Sequence, residues 1–196
     1  MNFTIPALTF RQMLTGCLVG AGKDTNLAKI NAIQMEVDSG QVFFASTDRY
    51  RLTIADTQAF RPGAEDGVIL MSRSDAEAVV KMMPAKPAPK DTIRVKSADD
   101  DTFAISLGAP MDTPKWAAKF VRITEEFPKW RRLIPTESRP VLSVKYNTAY
   151  LADLNKIPHD KTKPVEWTFF GDGKPALATW EHDAVNWKYL LMPVRT

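Results

Sequence analysis

The residues whose types and spacing could do chemistry fall into two kinds. The first kind invites catalysis or phosphate binding and fails on detail. Gly20-Ala21-Gly22-Lys23-Asp24 has the composition of a phosphate loop, where lysine reaches the phosphates and a hydroxyl residue binds magnesium. Cys17 stands at the first glycine position and Asp24 at the hydroxyl position, so the string reads as the loop that ends a helix. His159-Asp160 and His182-Asp183 could each pair an acid with a base, but they lie far apart in the sequence and in polar turn-like contexts. Asp99-Asp100-Asp101 lacks the spaced carboxylates of a calcium loop and reads as a hairpin turn. No serine or cysteine has the strand–turn–helix setting of a nucleophile. The chain therefore reads as a protein without enzymatic activity, with no catalytic residue, cofactor or metal assigned.

The second kind comprises three strings that set apolar side chains beside a guanidinium. They are Ala45-Ser46-Thr47-Asp48-Arg49-Tyr50-Arg51-Leu52, Glu126-Phe127-Pro128-Lys129-Trp130-Arg131-Arg132-Leu133-Ile134-Pro135, and Tyr189-Leu190-Leu191-Met192-Pro193-Val194-Arg195. A charged corner such as the first can be structural, because Asp48 can accept bonds from backbone N–H groups or from Arg51.

The elements that must hold these strings follow from composition and periodicity. The 196 residues are 44% hydrophobic and 25% charged, the balance of a soluble globular chain. The net charge of +3, from 26 basic and 23 acidic residues, suits patchy, non-specific contact with nucleic acid better than a strongly basic binder. A single cysteine, Cys17, forms no internal disulfide and points to a reducing, cytoplasmic setting. No apolar run has the length of a membrane helix, so no membrane partner is expected.

One local pattern occurs three times: a short strand, a cap residue and an amphipathic helix. Phe3-Thr4-Ile5 precedes a helix near 8–19. Val68-Ile69-Leu70-Met71 precedes Ser74, with Glu77 completing a capping box, and a helix to 83. Val141-Leu142-Ser143-Val144 precedes Asn147 and a helix to 157. Each helix is followed by three alternating runs: 29–37, 41–47 and 49–56; then 91–97, 102–107 and 118–123; then 165–170, 175–181 and 186–194. Asp38-Ser39-Gly40, Asp99-Asp100-Asp101 and Gly171-Asp172-Gly173-Lys174 supply turns, while 84–89 and 108–115 read as loops. The expected fold is α+β: repeated β-α-β-β-β units with helices on one face of antiparallel sheets.

Taken together, the three strings, written TD-x-x-RL, FP-x-W-RR-x-x-P and Y-x-x-MP-x-R, resemble motifs of the bacterial-type DNA sliding clamp, the beta subunit of DNA polymerase III. The resemblance implies a shortened clamp of the kind a phage or mobile element would encode. Residues 1–135 match a complete clamp domain of two units, 1–66 and 67–135, and residues 136–196 match half a domain. It also implies the clamp fold, in which helices line a central hole and sheets form the outside.

The resemblance carries a partner-peptide pocket onto Thr47, Arg51 and Leu52, onto Pro128, Arg132 and Leu133, and onto Leu190, Met192, Pro193 and Val194, with Ile30 at its wall. The family usually has Gly-His after Thr-Asp, and this chain has Arg49-Tyr50, which reshapes the pocket mouth. Arg11, Lys23, Arg73, Lys81 and Lys156, on or near the helices, are the candidate DNA-facing cations, with Lys29 beside the first loop. The implied partners are duplex DNA without sequence readout, a replicative polymerase, a clamp loader and further copies of the chain. Rings of that family hold twelve units, so three per chain implies a tetramer, with a dimer through unpaired third units as the other arrangement. A clamp-like regulator or decoy that forms no ring is the alternative function.

Overall fold

The computed structural model describes residues 1–59, 63–109 and 112–194. Its first unit is β1 (Asn2–Pro6), α1 (Ala7–Gly20), β2 (Ala32–Asp38), β3 (Gln41–Thr47) and β4 (Arg51–Gln58). The second is β5 (Gly67–Ser72), α2 (Arg73–Met82), β6 (Thr92–Ser97), β7 (Thr102–Gly108) and β8 (Trp116–Val121). The third has α3 (Thr148–Asp153), which runs into a 3-10 turn at Leu154–Lys156, then β9 (Glu166–Thr168), β10 (Ala176–His182) and β11 (Val185–Leu191).

Local sequence explains most of these boundaries. Pro6, at φ −53°, is preset for the start of α1 and has no N–H to satisfy. Ser39 and Gly40, with φ of 52° and 81°, make the two-residue turn between β2 and β3. The cap of α2 is Ser72 and not Ser74: the Ser72 hydroxyl accepts from the Asp75 N–H at 3.0 Å. Glu77 instead pairs with Arg73 at 2.9 Å, one helical turn back. Asn147 caps α3 as expected, its side chain accepting from Ala149 N–H at 2.9 Å.

The units interlock. β1 leaves its own unit and pairs antiparallel with β6, giving the sheet β1-β6-β7-β8. β5 returns the exchange by pairing with β2. The second sheet is seven strands wide, β5-β2-β3-β4-β11-β10-β9, because β4 pairs with β11 of the third unit from Asn186↔Asp56 to Leu191↔Arg51. Hydrogen bonding therefore runs without a break from the first unit into the third.

Strand alternation sorts side chains between two faces. Ile33, Met35, Phe44, Trp187, Tyr189 and Leu191 share the main core with α1. Phe44 receives the edges of Phe3 and Phe10 at 6.3 and 5.4 Å between ring centres. Gly16 lets α1 settle on the third unit, since a Cβ there would lie 2.4 Å from the Trp187 ring. A smaller cluster on the opposite face joins Ala45, Leu52, Ile54 and Leu190 to Phe127 and Trp130.

The third unit departs from expectation in one respect. Val141–Val144 forms no strand, and Leu142 is fully exposed. The exchange explains this: the first strand of a unit needs the sheet of a partner unit, and none is present among the described residues. For the same reason β9 keeps three residues where six were expected. α3 is short and buries no residue, whereas α1 and α2 pack against each other. β11 ends at Leu191, before the expected 194.

Candidate functional site

The Thr47–Leu52 corner is a hairpin turn locked by side chains. Asp48 accepts from the N–H groups of Tyr50 and Arg51, both at 3.0 Å, and the Thr47 hydroxyl donates to the Arg51 carbonyl at 2.6 Å. Arg49, where the clamp family usually has glycine, sits at φ 79°. The Arg51 side chain, 8% exposed, binds Asp48 Oδ2 at 3.0 Å and also Asp153 of α3. Its guanidinium lies 4.6 Å from the centre of the Tyr150 ring, and Tyr50 stacks on Tyr150 from the other side of the corner. Burial works against the charge of Arg51, but Asp153, Tyr189 and Asp48 outweigh it and hold the group protonated. Arg51 was expected in the peptide pocket. In the structure its charge also fastens α3 onto β4.

The other expected pocket residues divide between wall and surface. Thr47, Leu52 and Leu190 form one row across β3, β4 and β11, continued by Leu177 on β10. Leu52 and Leu190 are nearly fully buried in the cluster that also holds Phe127 and Trp130. Beyond β11 the chain bends along the corner: Met192 N–H donates to the Tyr50 carbonyl at 2.9 Å and Val194 N–H to the Lys145 carbonyl at 2.8 Å. Met192 and Pro193 are half-buried and Val194 is exposed. Ile30 is buried behind Thr47, since Gly22 N–H reaches both the Ile30 carbonyl at 2.8 Å and the Thr47 carbonyl at 3.2 Å. Arg195 lies outside the described residues.

The second string covers the same face. Phe127 and Trp130 anchor it, and Pro128, Arg132 and Leu133 remain at the surface, Leu133 46% exposed. The neighbouring Arg131 holds the segment down. It pairs with Glu36 at 2.8 Å and lies over the rings of Trp130 and Phe43, at 4.2 and 4.9 Å. Behind the segment is a groove of about 680 Å³ lined by Leu70, Ile123, Phe127, Pro128, Arg131 and Arg132. Nothing in the sequence pattern marked this groove, which forms where residues 122–132 cross β2 and β5.

The histidines, distant in the sequence, meet in space. His159 and His182 line one groove of about 480 Å³ with Asp160 and Asp183. His182 Nε2 is 3.3 Å from Asp183 Oδ2, and His159 Nδ1 contacts the Ile157 carbonyl at 2.7 Å. Asp99 accepts from Thr102 and Lys119 in its turn, which lowers its carboxyl to about 2. Burial drives the Cys17 thiol far above its ordinary range and favours its neutral form.

The expected DNA-facing cations are unequal. Lys23 and Lys81 are exposed and make no ion pair among the described residues. Lys156 is 70% exposed and paired with Asp153. Arg11 is half-buried, with its Nε unpaired among the described residues. Arg73 differs: its guanidinium donates to the Leu18 and Ala21 carbonyls, each at 2.9 Å, closing the end of α1. It also pairs with Glu77 at 2.9 Å, so Arg73 has a role within the fold that Lys23 and Lys81 lack.

The interlocked β-α-β-β-β units and the sheet that continues between them define the DNA sliding clamp fold. Solved clamps from three bacteria each cover the whole chain. The DNA polymerase III beta subunit of Thermotoga maritima matches with a TM-score of 0.79 at 16% identity. A Pseudomonas aeruginosa clamp bound to griselimycin matches at 0.80 and 13%. The Eubacterium rectale protein matches at 0.81 and 9%. This chain spans 66% of each of the three. In sequence the chain is similar to the beta sliding clamp of Streptomyces coelicolor, 25% identical over 148 residues, and to that of Micrococcus luteus, 24% identical over 160. Those stretches are 72% and 78% of this chain but only 36% and 46% of the two relatives. No family model matches.

Proposed function

We propose that the protein is a shortened DNA sliding clamp, a processivity factor that encircles duplex DNA without reading its sequence and tethers a replicative polymerase. It acts by topology and not by catalysis. On this reading, residues 1–135 are a complete clamp domain, residues 136–196 half of one, and several copies assemble into the ring in the cytoplasm with the help of a loader. The single observation that carries the reading is the β4·β11 pairing, which joins two clamp units edge to edge as ring building requires. The exposed lysines on α2 and after α1 offer diffuse positive charge, which is sufficient for contact with phosphates.

On this reading the peptide site lies over the Thr47–Leu52–Leu190 row, with Met192 and Pro193 following β11 and Pro128 and Leu133 contributed by the second string. The Pseudomonas aeruginosa clamp of the same fold is known with a bound compound, griselimycin, which supports a ligand site on such a scaffold. The test loads the protein on nicked circular DNA. A clamp stays on the circle through a high-salt wash and is lost when the circle is cut. Equal loss from circle and linear DNA would instead favour a polymerase-binding regulator that forms no ring.

A further inference from the structure

The interlocking of the first two units follows a rule that the third unit leaves half fulfilled. The strand before each helix abandons its own unit: β1 pairs with β6 and β5 with β2, both antiparallel. The residue that ends the strand faces the first residue of the partner unit's sheet, as in Pro6↔Thr92 and Ser72↔Ala32. The third unit has the corresponding segment, Val141–Val144, rich in β-branched residues, yet it forms no strand. Among the described residues, none of its backbone groups takes part in a backbone hydrogen bond. Its flanks are tied to the same unit by a parallel bridge, Arg139↔Phe170, of the wrong sense for the rule, and by the Lys145 carbonyl, which accepts from Val194 N–H at 2.8 Å.

The acceptor for such a strand is open along Glu166–Thr168, beyond which the Phe169 carbonyl accepts from Arg139 N–H of the same chain at 3.0 Å. β9 is the last strand of the seven-stranded sheet and pairs only with β10. Around it lie unburied apolar side chains: Leu142 at 107% exposure, Leu151 at 40% and Phe169 at 37%. α3 also lacks the helix neighbour that α1 and α2 give each other. Donor strand, acceptor edge and unpartnered helix all belong to one unit. Two copies of that unit satisfy all three at once about a two-fold axis.

We propose that two copies of this chain exchange the segment Val141–Tyr146, each adding it antiparallel to β9 of the other, so that two third units build one complete domain. By the rule, Asn147 comes opposite Glu166 of the second copy, and Lys145 opposite its Thr168. The exchange places α3 beside the α3 of the second copy, covering Leu151, and by the same register sets Leu142 against Gly171 of that copy. The inference rests on strand order and not on the proposed role at DNA, so its failure leaves that role to its own test.

The experiment is light scattering after size exclusion on the full chain, at about 50 µM, where a standard-size interface is occupied. The wild type is expected at an even multiple of its 22.0 kDa. Leu142→Asp, at a side chain that touches nothing in the single chain, is expected to halve that mass. Hydrogen exchange gives the second readout: the amides of 141–146 are slow in the wild type and fast in Leu142→Asp. A wild-type monomer, or an assembly that Leu142→Asp leaves intact, overturns the proposal. So does an assembly that falls apart on Val121→Asp, at the open edge of β8, and not on Leu142→Asp.

Discussion

Arg51 and Asp153 are 102 residues apart in the chain and share a side-chain ion pair that ties β4 to α3. Both are largely shielded from water, at 8% and 18% exposure. Removing one partner leaves the other charge poorly solvated, which costs more than a surface pair would. Asp153→Ala is expected to lower unfolding stability by about 1–3 kcal/mol in urea titrations, the retained Asp48 contact limiting the loss.

The same pair gives an acid-side dependence. Burial alone would raise the Asp153 carboxyl, but hydrogen bonds from Lys156 and Arg51 outweigh it and hold the group below its ordinary 3.8. A carboxylate depressed in the folded state contributes stability that is complete above its unfolded value and is lost as pH falls through its folded value. Asp153→Asn should therefore narrow the gap to wild type as pH falls below 3.8, measured by melting at stepped pH. A gap that stays constant would remove this ion pair from the account of acid stability.

Arg49 carries a backbone conformation that glycine adopts without penalty, at φ 79°. Arg49→Gly is expected to leave stability unchanged or raise it by up to about 1 kcal/mol, because relief of strain opposes the added freedom of the unfolded chain. A clear loss in melting temperature would mean that the Arg49 side chain does more at the corner than its exposure suggests.

The peptide site separates binding from folding. Leu190→Ala opens a cavity beside Leu52 and Leu177 and should destabilise the fold by about 2–4 kcal/mol. Met192→Ala and Leu133→Ala remove half-buried and exposed side chains, so they should leave melting nearly unchanged while weakening a polymerase-derived peptide by about 1–3 kcal/mol together. Calorimetry that shows undiminished binding in this pair would move the site elsewhere, with the groove behind residues 122–132 the next surface to probe.

Charge on the helices is testable through salt. Lys23→Glu with Lys81→Glu should flatten the salt dependence of DNA retention, since every phosphate left without its lysine keeps roughly one counterion that binding would otherwise release. Arg73→Ala should act differently. It uncaps the Leu18 and Ala21 carbonyls, so it lowers melting temperature with little change in that slope.

Much of this architecture is legible in the residues. Ser39-Gly40 announces its turn, and alternation in 41–47 and 102–107 gives strands within a residue of those observed. Alternation assigns faces, however, and says nothing about partners, so the exchange of β1 and β5 is invisible to it. Val141–Val144 has strand composition and no strand, because pairing comes from the rest of the fold. The case of Arg51 is different. Neighbours in a strand point to opposite faces, so the split that sends Arg51 to Asp153 and Leu52 to the Leu190 row was already present in the sequence. The meeting of His159 with His182 had no local signal, since it depends on how the loop after α3 folds over the β10–β11 hairpin.

The exchange of first strands also bears on how the chain is made. β1 leaves the ribosome well before its partner β6, which begins only at Thr92. β4 likewise waits for β11, which begins only at Val185. Such non-local pairing slows folding and leaves apolar strands uncovered while translation proceeds. Nascent chains halted before residue 92 should therefore be held by chaperones with β1 unpaired, and those halted before residue 185 with β4 as an open edge.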